Sequence, residues 1–149
     1  MKVWTLHPSY LDTGELTTNW NEGLRALRIL SQPRLYNRFR SDLSVFRMQA
    51  EPIYALVIYL KAIAKEARRR NLKIDTSVLP QLPSGYRLKL PVSLQRLRSD
   101  KQKLTKHIAK LDANAASHLT ASRTHPLFFV KADNKPNAWE LISRIKLNR

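Results

Sequence analysis

The chain has 149 residues, enough for one domain with its own core, and its 27 Lys and Arg against 11 Asp and Glu give a formal net charge of +16. That excess points to a polyanion partner (DNA, RNA or an anionic membrane) and away from enzymes of small metabolites. The absence of cysteine excludes disulfides, thiolate metal sites and cysteine nucleophiles, and the four scattered histidines show no metal-ligand spacing.

Val3, Trp4 and Leu6 form a short apolar lead-in that His7-Pro8 breaks. The start of the chain has no apolar stretch of signal-peptide length, which predicts a cytoplasmic protein. Asp12 and Glu15 fit a capping box and set the first helix to begin near Thr13. Leu16, Trp20, Leu24, Leu27 and Leu30 repeat at helical spacing and make its expected buried stripe, and Gln32-Pro33 ends it. Glu22 lies off that stripe, with Arg25 one turn along the same side. Gly23 is a poor helix former and leaves the backbone beside Glu22 uncovered, so that something could approach closely there.

Arg34, Arg38, Arg40 and Arg47, with Arg28 upstream, alternate with Tyr36, Phe39, Leu43 and Phe46. The aromatic spacing is helical and reads as core. The arginines face solvent on this reading and suit phosphates, which fix position without reading sequence. Glu51-Pro52 opens the clearest helix, because proline at a first turn gives up an N–H that had no partner. Ile53, Leu56, Val57, Leu60, Ile63, Ala64 and Ala67 mark it as the central core helix. Its apolar run, Ile53–Leu60, is far too short to span a bilayer. Its last turn, Arg68-Arg69-Arg70, complements the helix dipole and also suits a phosphate backbone.

Asn71 to Pro91 reads as loop, with Leu88–Leu90 a candidate extended piece. Ser93 starts a third helix. Leu94, Leu97, Leu104, Ile108 and Leu111 form its stripe, with Lys101 filling one step. Arg96, Arg98, Lys103, Lys106 and Lys110 lie opposite, on a face either solvated or turned to a polyanion. Thr124–Val130 is apolar and aromatic, Asn134–Asn137 is a turn, and Trp139, Leu141, Ile142 and Ile145 suggest a short final helix. The expected architecture is an all-α single compact domain over 1–149, with about three main helices, long connecting loops and a monomeric state.

Met1-Lys2-Val3-Trp4, Leu6-His7-Pro8, Tyr10-Leu11-Asp12 and Trp20-x-Glu22-Gly23-Leu24 together resemble the pyrimidine-dimer DNA glycosylases of the UV-repair endonuclease V type. The resemblance is close over the first 30 residues. It returns weakly over Glu51–Asp75, where Ala67–Leu72 ends a helix as in the family, and again at Thr124–Phe128. Pro80–Ser122 matches no motif.

The resemblance implies a DNA glycosylase with abasic-site lyase activity on UV-damaged duplex DNA, working without metal or cofactor. It assigns the family's N-terminal amine nucleophile to Met1 and its catalytic glutamate to Glu22. Lys2 and Arg25 match basic positions that contact DNA around the lesion, and Asn21 stands where members often have arginine. An aromatic C-terminal segment, with His125 and Phe128 in its DNA-binding set, is implied to grip the damaged strand, although by themselves Leu127, Phe128 and Val130 read as closing the core. Arg34, Arg38, Arg40, Arg69 and Arg70 complete the expected DNA-binding set. The chain departs from many bacterial relatives at Leu35-Tyr36, where they carry Gly-Tyr followed by His-Pro.

The chemistry needs an amine that is a free base near neutral pH. Ordinary lysine titrates at about 10.4, an α-amine near 8. Residue 2 is Lys, a side chain large enough to block removal of the initiator, so the α-amine is expected to be that of Met1. The alternative is an exposed Lys2, acting through its α-amine or its side chain. Glu22 would stabilise the cationic sugar and move protons. Without the resemblance, Glu22 reads as a surface partner of Arg25. The rival functional reading is a non-catalytic basic nucleic-acid-binding protein of the same fold.

Overall fold

A computed structural model describes residues 1–32, 43–111, 123–133 and 135–141, excluding the side chains of residues 110 and 111. The expected contacts at Arg34, Arg38 and Arg40 and most of the expected final helix lie outside these residues.

Three long helices dominate, as the periodicity predicts: α1 (Thr13–Ser31), α3 (Pro52–Arg69) and α4 (Leu94–Leu111), with a single turn, α2 (Ser44–Arg47), ahead of α3. From the end of α3 to Lys89 lies loop with one 3₁₀ turn at Thr76–Val78. The strand content is small. β1 (Leu90–Val92) pairs in parallel with β2 (Phe128–Val130), in the register Leu90 to Phe128. The N-terminal segment pairs with the stretch just before β2. Leu6 bridges Thr124, and the His125 amide donates to the Thr5 carbonyl at 2.7 Å.

Helix ends follow from local chemistry. The Asp12 carboxylate accepts the Glu15 amide at 3.3 Å and starts α1. The reciprocal half of the expected capping box is diverted, because the Glu15 carboxylate accepts the Trp4 indole N–H at 3.0 Å. α3 ends where Asn71 takes a left-handed φ of 61°. There the Leu72 amide donates to the Ala67 carbonyl and the Asn71 amide to Arg68, both at 2.9 Å. This is the paired closure that asparagine, after glycine, tolerates best. The Ser93 hydroxyl accepts the Arg96 amide and starts α4.

α1 packs on α3. The buried face of α1 is Leu16, Asn19, Trp20, Gly23, Ala26 and Leu30. The expected stripe is therefore rotated: Leu24 and Leu27 are only half-buried, and Gly23 and Ala26 take the inner positions. Small residues there let the two backbones come close. What occupies the space beside Gly23 is Leu60 of α3, so the uncovered backbone serves helix packing and not an outside ligand.

Candidate active site

The N-terminal segment runs through the protein interior. Val3, Trp4, Thr5 and Leu6 are all buried, and both ends of the segment are anchored. Asn19 on α1 donates its amide to the Lys2 carbonyl at 2.6 Å. Its amide oxygen accepts the Tyr59 hydroxyl at 2.7 Å, and that hydroxyl in turn accepts the Trp4 amide at 2.9 Å. Burial pushes the Tyr59 phenol pKa up, so it stays a neutral donor. Two helices thus fix the backbone of residues 2–4.

A second clamp comes from α4. Asp100 is fully buried. One of its oxygens accepts the Thr5 amide (3.0 Å) and hydroxyl (2.7 Å), and the other accepts Lys2 Nζ (2.9 Å) and Arg96 Nε (3.1 Å). Arg96 also donates to the Val3 carbonyl at 3.1 Å. Burial alone would raise the Asp100 pKa, but Arg96, Lys2 and the Thr5 hydroxyl outweigh it and hold the carboxylate below its ordinary range. Burial lowers the Lys2 pKa despite the opposing pull of Asp100. Lys2 Nζ also lies 5.1 Å from the Trp4 ring centroid.

The result of both clamps is the position of the chain's first nitrogen. The Met1 amine lies 3.4 Å from Glu22 Oε2. The Met1 side chain is 2% exposed and acts as an anchor, while the Glu22 side chain is 36% exposed and reachable from outside. Asn21 and Arg25, on the same stretch of α1, are exposed. A primary amine, a carboxylate and two exposed polar side chains therefore share one stretch of the surface. Among the described residues, no group of three or more His, Asp and Glu side chains is placed to hold a metal.

The profile of the pyrimidine dimer DNA glycosylases matches residues 1–80, which contain the whole N-terminal segment, α1 and α3. The chain belongs to that family. Comparisons with curated proteins and with solved structures returned no match. This family membership makes damaged DNA the partner and a glycosylase the enzyme class.

Several expected DNA contacts sit elsewhere. His125 is 1% exposed and lies stacked on the Tyr59 ring at 4.3 Å. Its Nε2 donates to the Tyr59 carbonyl and its Nδ1 accepts the Leu127 amide. Burial drives its pKa down to about 3, so it is a neutral core residue. Phe128 is equally buried, against His125 and Trp139. Burial keeps both side chains from a DNA surface; for Phe128 the reading as closing the core is the better one, and His125, expected at DNA, is a core residue as well. Arg70 turns inward and donates to Glu66 and to the Pro8 and Ser9 carbonyls, tying the end of α3 to the 3₁₀ turn at Pro8–Tyr10. Arg69 is exposed but forms a two-point pair with Glu66. Lys2 is committed to Asp100.

Asp100, Asn19 and Tyr59 belong to none of the motifs above. A signal existed for Asp100: it sits three residues after Leu97 and four before Leu104, in the gap of the α4 stripe that Lys101 was expected to fill.

Proposed function

We propose that the chain excises pyrimidine dimers through a covalent sugar intermediate on the Met1 amine and then cleaves the strand. The amine nitrogen attacks the anomeric carbon of the damaged nucleotide. The bond from that carbon to the base breaks, and the base leaves with the electron pair and takes up a proton. The sugar ring opens as the amine loses a proton, leaving a protonated Schiff base to nitrogen. Loss of a proton from the adjacent carbon then expels the 3′ phosphate and breaks the strand. Water hydrolyses the imine and restores the amine.

Glu22 has two tasks in this scheme. Its negative charge lowers the energy of the cationic sugar as the base departs. Its carboxylate also receives and returns the protons that the amine and sugar must shed. The observation that carries the proposal is the 3.4 Å separation of the Met1 nitrogen and Glu22, between a pinned first residue and a solvent-reachable carboxylate. The sugar becomes accessible when the target base, or its opposite, leaves the helix stack. The net charge of +16 supplies nonspecific attraction to the backbone.

The test is cleavage of a duplex carrying one pyrimidine dimer. Glu22→Gln keeps the size and removes the charge. Cleavage falling by about 100-fold or more, with duplex affinity retained, supports the scheme. Equal cleavage by both proteins sinks it. Cleavage by neither, from folded protein that binds duplex DNA, favours the non-catalytic binder.

A further inference from the structure

A second basic site lies on the far side of α3. A groove of about 960 Å³ opens between α3, the His7–Ser9 turn and the segment at Arg123–Pro126. The α3 side chains that line it include Ile58, Ala62, Lys65 and Arg69, three or four residues apart on one helical face. Leu60, which meets α1 at Gly23, points about 200° around the helix from Ile58. The N-terminal segment separates the two sites along its length. Met1 is at Glu22, and His7, six residues on, is at the groove. An extended chain of six residues spans up to about 20 Å.

The lining is chemically two-sided. Lys61, Lys65, Arg68 and Arg123 supply positive charge. Among the described residues Glu66 is the acidic group in the lining, and Arg69 and Arg70 already hold it, which brings its pKa down to about 2. Arg68 and Arg123 donate to the neutral hydroxyls of Thr76 and Ser9, so among the described residues no carboxylate of the lining is left to cancel the four remaining cations. Ile58, Ala62 and Pro126 give it an apolar part. A flat duplex backbone has no use for an apolar concavity. A nucleotide does, since its base has an apolar face and its phosphate is an anion.

We propose that this groove binds a nucleoside phosphate, with the phosphate on Lys61, Lys65, Arg68 and Arg123 and the base against Ile58, Ala62 and Pro126. The ligand is either a free nucleotide or a unit of single-stranded nucleic acid. The proposal is independent of the reaction assigned to Met1 and Glu22.

The test is a titration of the full chain, followed by NMR of the backbone amides. The probes are thymidine 5′-monophosphate, thymidine, inorganic phosphate and a five-nucleotide oligothymidylate. Expected are saturable shifts at Ile58–Arg69 and Arg123 with the monophosphate, weaker binding of thymidine and of phosphate alone, and unchanged signals around Glu22. Lys61→Gln/Lys65→Gln, both exposed positions, should fold normally and lose affinity by about tenfold. Tighter binding of the oligonucleotide identifies a strand as the ligand, and equal binding identifies a free nucleotide. Phosphate binding as well as the nucleotide, shifts confined to the Glu22 region, or no saturation in the wild-type chain would each overturn the proposal.

Discussion

Leu60 of α3 lies directly against the bare Cα of Gly23, in the space where a β-carbon would stand. This contact sets the depth of α1 against α3, and the residue before Gly23 is the carboxylate that meets the Met1 amine. Gly23→Ala should be destabilising although alanine is the better helix former by about 1 kcal/mol. Leu60 is fully buried and has nowhere to retreat. The expected net cost is roughly 1–3 kcal/mol, measured by denaturant unfolding. Leu60→Ala alone should cost about 2–5 kcal/mol. The double variant should be more stable than the sum of the two predicts. Strict additivity would contradict this packing account.

Asp100 is the second control point. Asp100→Asn leaves Lys2 and Arg96 without their shared carboxylate and loosens the segment that positions Met1. Unfolding free energy should fall by roughly 3 kcal/mol. Cleavage should fall more than duplex affinity does, because the amine loses its position and the basic surface stays. Adding Lys2→Met to Asp100→Asn should recover part of the stability. If Asp100→Asn unfolds like wild type, the clamp is not an energetic feature.

Placement of the first nitrogen gives a third prediction. One extra glycine ahead of Met1 moves the α-amine by about 3.8 Å along the chain. Cleavage of dimer-containing duplex should drop by about 100-fold, with duplex binding intact. An extended protein that cleaves normally would point to Lys2 or another amine.

His125 predicts the acid behaviour of the fold. Its folded pKa of about 3 lies below the ordinary value of 6.5, so the unfolded chain binds a proton that the folded chain refuses. Its contribution is complete above pH 6.5 and is lost as pH falls from there toward 3, at about 1.4 kcal/mol per unit. Glu66, with a folded pKa of about 2, adds to the loss only once pH falls below about 4.5. Between pH 6.5 and 5 the slope should therefore come from His125 and, by a smaller amount, from His7, whose pKa burial and Arg123 also lower, and the pH dependence of thermal unfolding should be flatter there for His125→Gln. An unchanged slope would contradict the neutral buried state.

The helices were legible because their signals are local. Asp12, Gln32, Pro52 and Ser93 each act within a few residues, and of the expected α3 face Leu56, Val57, Leu60, Ile63, Ala64 and Ala67 are buried. The rotation of α1 was not legible, since the preference for Gly23 and Ala26 over Leu24 and Leu27 is set by how closely α3 approaches. Met1 and Glu22 came from a motif resemblance, with nothing in the residues alone to bring them together. The clamp was hidden because its partners lie far apart in sequence: Asp100 is 98 residues from Lys2, and Tyr59 is 40 from Asn19. His125 and Phe128 misled because an aromatic segment suits a core and a DNA strand equally well. Burial alone separates the two uses.

The most direct test is reductive trapping. Borohydride is added while the chain, with its native N-terminus, acts on duplex DNA carrying one pyrimidine dimer, and mass spectrometry locates the cross-link. The account predicts a covalent adduct on the Met1 α-amine, coupled to strand cleavage. An adduct on a lysine side chain, or cleavage of the dimer duplex with no trappable adduct, would contradict it.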